Sequence, residues 1–207
     1  QSVIRNISQI DRGYQEVVNF AFIEEAWEKD FAANSDPIRL ANPIASQMAV
    51  MRTQLFSGLV ANLQTNLKRK QNRVRLFETG RCFLSDAAGA PVSGFNQPWR
   101  LAALAYGTAL PESWGNGHRK IDFYDLKGVV EEMLHGLHIQ GISYKPANYA
   151  NFHPGKCAEV YAGERILGVL GELHPLVKVN YHFEEAPVLL AEFEGAALIK
   201  LASIDLD

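Results

Sequence analysis

The amino-acid sequence predicts an α+β fold, with a largely antiparallel sheet flanked by helices. Stretches of period two and stretches of helical period are both present, and they are segregated along the chain instead of alternating as a doubly wound sheet requires. Gly163-Glu164 sits between two apolar runs, as the tip of a hairpin would. The 207 residues, 47% of them hydrophobic, can bury one sizeable core.

Taken in order, Val3, Ile4, Ile7 and Ile10 recur at helical spacing before Gly13, a residue suited to the position just past a helix end. A strand should then begin near Gln15. Thr53 is placed to cap a helix whose apolar stripe is Leu55, Phe56, Leu59, Val60, Leu63 and Leu67. "RVRLFETGRCFL" alternates with period two and reads as a strand with one face in a core. Glu78 falls on the same face as Val74 and Leu76, so its carboxylate must find a donor or stay near the rim. "SDAAGAPVSGFNQP" has turn composition, and "WRLAALAYG" resumes a strand. Leu126, Val129, Val130, Met133, Leu134 and Leu137 then make an amphipathic helix with an acidic start. "AEVYAGERILGVLGEL" is the hairpin, Pro175 opens a short helix and "PVLLAEFE" is one more strand. The expected tally is about five or six strands and three or four helices.

A net charge of -3 excludes a protein that is basic throughout, so any RNA contact must rest on a local patch. Cys82 and Cys157 stand far apart and without a second pair at metal-ligand spacing, which fits reduced thiols in a cytoplasmic protein. There is no initiator Met, no signal-like segment and no apolar run of about 20 residues. A soluble piece of a longer chain, with no membrane contact, is the expectation.

Phosphate-cradling, dinucleotide, nucleophile-elbow and zinc-protease motifs are all missing. His153 and His174 each precede a proline and could be combined on paper with Cys157 and Glu172 into a metal site, but no recognised ligand spacing supports it. The simpler reading is that each His-Pro step closes a turn. Asp122, Asp125, Glu131 and Glu132 could be imagined as an acid and base pair, yet clustering near a helix start explains them. Lys68, Arg69, Lys70, Arg73 and Arg75 concentrate charge at the junction of a helix and a strand. For Lys68, Arg69 and Lys70 two readings stand: cations opposing the negative end of a helix dipole, or a phosphate contact.

Several segments carry a resemblance. "NPIASQMAVMRTQLFSGLVANLQTNLKRKQNRVRLFETGRCF", "DFYDLKGVVEEML", "FHPGKCAEVYAGERILGVLGELHP" and "LLAEFE" resemble, in this order, the catalytic-like region of the bacterial phenylalanyl-tRNA synthetase beta subunit. The resemblance implies a class II synthetase-like fold, with residues 1–207 forming one catalytic-like domain of a longer chain. It implies assembly with an alpha subunit into a two-alpha, two-beta enzyme that attaches phenylalanine to tRNA(Phe). ATP and Mg2+ are used by that whole enzyme, and the alpha subunit holds its site.

The family's first motif is similar to "SQIDRGYQEVVNFAFI", which points to Val3, Ile7, Ile10, Tyr14 and Val17 as an apolar subunit interface, exposed in this chain alone. The second motif carries an arginine and a glutamate, and in "FLSD" Leu84 and Asp86 stand in their places. The third ends in arginine, and "AEFEGAALIK" has none. No catalytic residue, cofactor or metal is therefore expected in this segment. A free-standing class II ligase paralogue and a general RNA-binding module are the alternatives. Leu84 counts against the first, and the second lacks aromatic residues interleaved with its cations.

Overall fold

The computed structural model describes residues 13–89, 93–115, 117–183 and 186–202. Numbered along the chain, β1 (Gln15–Glu16), β4 (Val74–Arg81), β7 (Trp99–Tyr106), β11 (Val188–Glu194), β10 (Arg165–Leu173), β9 (Phe152–Ala162) and β8 (Ile142–Pro146) lie side by side in that order. Only β1 runs parallel to its neighbour, with Gln15 opposite Leu76; every other pairing in this sheet is antiparallel. Two small ribbons stand apart, β2 (Phe22–Ile23) with β3 (Val50–Met51), and β5 (Leu84–Asp86) with β6 (Gly94–Asn96). The helices are α1 (Glu25–Ala32), α2 (Phe56–Lys68), α3 (Phe123–Gly136), α4 (Pro175–Asn180) and α5 (Gly195–Ala202).

The period of two divides the central strands between two cores. Val74, Leu76, Leu104, Val188 and Leu190 face α2, where Leu59, Val60 and Leu63 close the layer. Phe77, Leu101, Ala105, Leu189 and Phe193 face α3 and α5, packing with Leu126, Val130, Leu134 and Leu198. Each fully buried side chain of this size contributes about 1.5–3 kcal/mol. That is why β4, β7 and β11 are apolar on both faces and do not alternate cleanly with polar residues.

The start of α2 differs from expectation. Thr53 does not cap it; the helix begins at Phe56, and the Ser57 N–H donates to Gln54 Oε1 at 3.0 Å. The Thr53 hydroxyl instead donates to the carboxylate of Glu28, which is fully buried on α1 and accepts also from Thr53 N, Gln54 Nε2 and Asn34 Nδ2. A buried carboxylate must be given donors, and Thr53 supplies two of them, while the Ser57 N–H at the start of α2 finds its acceptor in Gln54. Several elements were not anticipated, β3 among them. In α1 the charged Glu28 interrupts the apolar stripe, β8 is an edge strand with three of its five residues exposed, and α5 directly continues β11. The turn-rich segment also folds into the β5–β6 ribbon.

The acidic start of α3 is a reciprocal cap. Asp122 Oδ1 accepts from Tyr124 N and Asp125 N at 2.9 and 3.1 Å, and Asp125 Oδ2 accepts from Asp122 N at 2.8 Å. Arg119 grips both Asp125 oxygens at 2.7 Å, and this hydrogen bonding holds the Asp125 carboxyl below the usual carboxylate range. Asp122→Ala should therefore lower the unfolding free energy by about 0.5–2 kcal/mol in denaturant titration, with the m-value unchanged. An unaltered midpoint would remove the cap from the account of α3.

Candidate functional site

Residues 52–55, between β3 and α2, bring charge into the α2-facing side of the sheet. Arg52 is 4% exposed, and its Nη1 donates to Glu78 Oε1 at 2.7 Å while its Nε donates to the Arg81 carbonyl at 3.1 Å. Glu78 thus finds the donor that its place on an inward face demands. Its Oε2 also accepts from Asn19 Nδ2 at 2.8 Å, and Asn19 continues to Asn62 on α2. Two glycines make room for this network. A Cβ on Gly80 would stand 2.3 Å from Arg52 Nη2, and one on Gly58 would stand 2.8 Å from Asn19 Nδ2.

A second, partly buried ion pair lies beside the first. Arg100 Nη1 donates to Glu192 Oε1 and to the Thr53 carbonyl, both at 2.8 Å. Glu192 Oε2 accepts from the Leu55 N–H at 2.8 Å, at the entry to α2. Burial pushes the Glu192 carboxyl above its ordinary range, while the Arg100 charge and the Leu55 N–H act in the opposite direction. Beyond this pair opens a cleft of about 450 Å³, lined by Leu84, Asn96, Arg100, Glu192, Glu194 and Tyr149 among others. Leu84, on β5, presents an alkyl side chain where the resemblance calls for a cation.

The expected interface residues divide. Val3, Ile7 and Ile10 lie outside the described residues. Tyr14 corrects the expectation of an exposed surface: it is 4% exposed and packs in the core with Phe77, Leu101 and Leu126, because the chain entering β1 turns it toward α3. Val17 is half-buried against the α2 side. The exposed apolar residues of this segment are Val18 and Phe20, 86% and 68% exposed, and the Phe20 ring stacks on Phe22.

Lys68, Arg69 and Lys70 are all exposed at the end of α2. Arg75 has left the basic surface: it donates to the carbonyls of Val74, Tyr106 and Thr108, and burial lowers its guanidinium to about 10. His174 caps α4, accepting from Leu176 N at 3.1 Å. His153, expected in a turn, lies in β9, where its Nδ1 is 2.6 Å from the Pro154 carbonyl. Glu172 pairs with Lys156, and among the described residues no group of three His, Cys, Asp or Glu could hold a metal ion. Cys82 and Cys157 are free, and burial pushes both thiols up to about 12.

Sequence reasoning missed Arg52, Arg100, Glu192 and Glu28 as a polar cluster. The available signal was parity, since Glu78, Arg100 and Glu192 fall on the same face as the α2-side apolar residues of their strands.

A sheet of this order, with helices on both faces and a strand-to-helix passage from β11 into α5, defines the class II aminoacyl-tRNA synthetase-like fold. Two solved structures of pyrrolysyl-tRNA synthetase from Desulfitobacterium hafniense match it with TM-scores of 0.70 and 0.71, at 16% and 14% identity, over 98% of this chain and 65% and 67% of theirs. At that identity the likeness is one of fold alone. Residues 1–194 match the family described as the phenylalanyl tRNA synthetase beta chain CLM domain, and the chain belongs to that family. It is 56% identical over 182 residues to the phenylalanine-tRNA ligase beta subunit of Dechloromonas aromatica (strain RCB), covering 86% of this chain and 22% of that protein. With the beta subunit of Aromatoleum aromaticum the identity is 51% over 188 residues, covering 91% and 23%. The chain thus spans less than a quarter of the length of these relatives. Among the described residues no helix is long and apolar enough to cross a membrane.

Removing one partner of a buried pair strands the other charge. Arg52→Ala should cost about 3–5 kcal/mol of stability, measured by denaturant unfolding. Gly80→Ala, which drives a methyl group against the same guanidinium, should shift stability in the same direction. Loss below about 0.5 kcal/mol in both would show that water reaches Glu78.

Proposed function

We propose that this chain is a non-catalytic, class II-like domain of a phenylalanine-tRNA ligase beta subunit. It serves assembly with an alpha subunit that attaches phenylalanine to tRNA(Phe), using ATP and Mg2+. The observation that carries this reading is the charge state of the α2-facing side of the sheet. Adenylate formation concentrates negative charge on phosphate and requires cations aimed at it. Here Arg52 and Arg100 are each taken by a carboxylate of the same chain, and Leu84 stands in the place of the second motif's arginine. The α5 segment, matching the third motif, contains no arginine.

Residues 1–207 are read as one catalytic-like domain of a longer cytoplasmic chain, in an enzyme of two alpha and two beta subunits. Val17, Val18 and Phe20, with Val3, Ile7 and Ile10 before them, are the proposed apolar contact with a subunit. The isolated chain should give no ATP-pyrophosphate exchange with phenylalanine. Exchange that disappears when this chain is mutated would establish the alternative of a free-standing ligase. Val18→Asp with Phe20→Asp should weaken the alpha-beta complex while leaving the unfolding midpoint of the chain in place, and an unchanged complex would put the interface elsewhere.

A peripheral tRNA contact is the second reading for Lys68, Arg69 and Lys70, favoured by the exposure of all three. Changing them to Gln should lower tRNA affinity and flatten its salt dependence, since each phosphate contact contributes a log-log slope of about 0.7–0.9. Affinity and slope both unchanged would leave these residues as a helix end. RNA binding by this chain with no alpha subunit present would favour the general RNA-binding module instead.

A further inference from the structure

We propose that Glu192 is a built-in anion: its carboxylate occupies an oxyanion-binding position formed by Arg100 and the Leu55 N–H, and its removal uncovers a site for dissolved phosphate. The two carboxylate oxygens divide the donors between them, Oε1 to Arg100 Nη1 and Oε2 to Leu55 N, both at 2.8 Å. The N–H belongs to the entry of a 13-residue helix, where backbone donors and the dipole favour negative charge. The guanidinium is the independent partner, arriving from β7 on the other side of the carboxylate. Burial opposes the charge on Glu192, and Arg100, the Leu55 N–H and, less strongly, Arg52 fixed on Glu78 favour it.

The position is also reachable. Arg100 and Glu192 both line the cleft beside Leu84 and Asn96, and the Arg100 side chain keeps a quarter of its surface exposed. Tethering explains why no outside anion is needed in the intact chain. A carboxylate held on β11 competes at an effective concentration that a dissolved ion does not match. Glu192→Ala deletes the tethered carboxylate and leaves Arg100 Nη1 bound to the Thr53 carbonyl, with Leu55 N open. A tetrahedral oxyanion offers acceptors to both, whereas chloride offers one centre and no divided geometry.

This deepens the reading of the sheet face as silent and rests on it: the chain would have lost motif arginines and also filled an anion position with its own side chain. The test compares the intact 207-residue chain, Glu192→Ala and the double variant Glu192→Ala/Arg100→Gln. Thermal unfolding is followed as inorganic phosphate is titrated against chloride at matched ionic strength. The melting temperature of Glu192→Ala should rise saturably with phosphate, and the intact chain and the double variant should show no saturable rise. No saturable rise in Glu192→Ala, or the same rise in all three, overturns the proposal. If Glu192→Ala does not fold in chloride, its refolding yield in phosphate decides: recovery that the double variant lacks supports the site, and no recovery overturns it. Pyrophosphate exchange, run in parallel, separates the two ideas. Activity in the intact chain would sink the non-catalytic reading, whereas a phosphate-blind Glu192→Ala would sink the built-in anion alone.

Discussion

The α2 side of the sheet depends on the burial of the Arg52–Glu78 ion pair. Neither charge is accessible to water, so each must be satisfied by a fixed partner. The guanidinium spans the segment before α2, the middle of β4 and the carbonyl of Arg81, and the carboxylate draws in Asn19 and through it Asn62 on α2. One buried pair thereby sets where the chain after β1 runs and how closely α2 lies on the sheet. Gly58 and Gly80 are small because this network passes directly over them.

Beside it, the same principle operates with different partners. Glu192 is held by Arg100 and a backbone N–H, and Glu28 by a hydroxyl, two side-chain amides and a backbone N–H. Three buried carboxylates on one side of a sheet form a polar stratum in an otherwise apolar layer. Such groups add less to stability than apolar residues of equal volume, but breaking any one is costly. The opposite side is closed by α3 and α5 mainly through apolar contact, although Arg75 and Glu172 are also buried. This asymmetry underlies the proposed function: the side that would need unpaired cations for nucleotide chemistry has spent them on its own carboxylates.

Some of this was legible from residue order. The alternation of Val74, Leu76 and Glu78 placed the carboxylate on an inward face and required a donor for it. The Gly163-Glu164 tip, the stripe of α3 and the Pro175 helix start also appear where local pattern puts them. Other features were not legible. Thr53 has the chemistry of a helix cap but donates to Glu28, more than twenty residues earlier. Tyr14 reads as one member of an apolar stripe, yet it is the core residue of its segment, and Val18 and Phe20 are the exposed ones.

The sequence by itself determined the class of fold, the strands and helices with strong periodicity, and the family. The elements follow from spacing along the chain, because burial of a face imposes a period of two or 3.6 on the residues that supply it, whereas the family rests on the resemblance of several whole segments. Only the tertiary structure decided which donor reaches each buried carboxylate and which apolar residues of the β1 segment remain outside. Arg52 and Glu78, Arg100 and Glu192, and Thr53 and Glu28 are each brought together from distant parts of the chain. A period specifies the face on which a side chain lies; its partner across the interior is set by how the sheet and α2 pack.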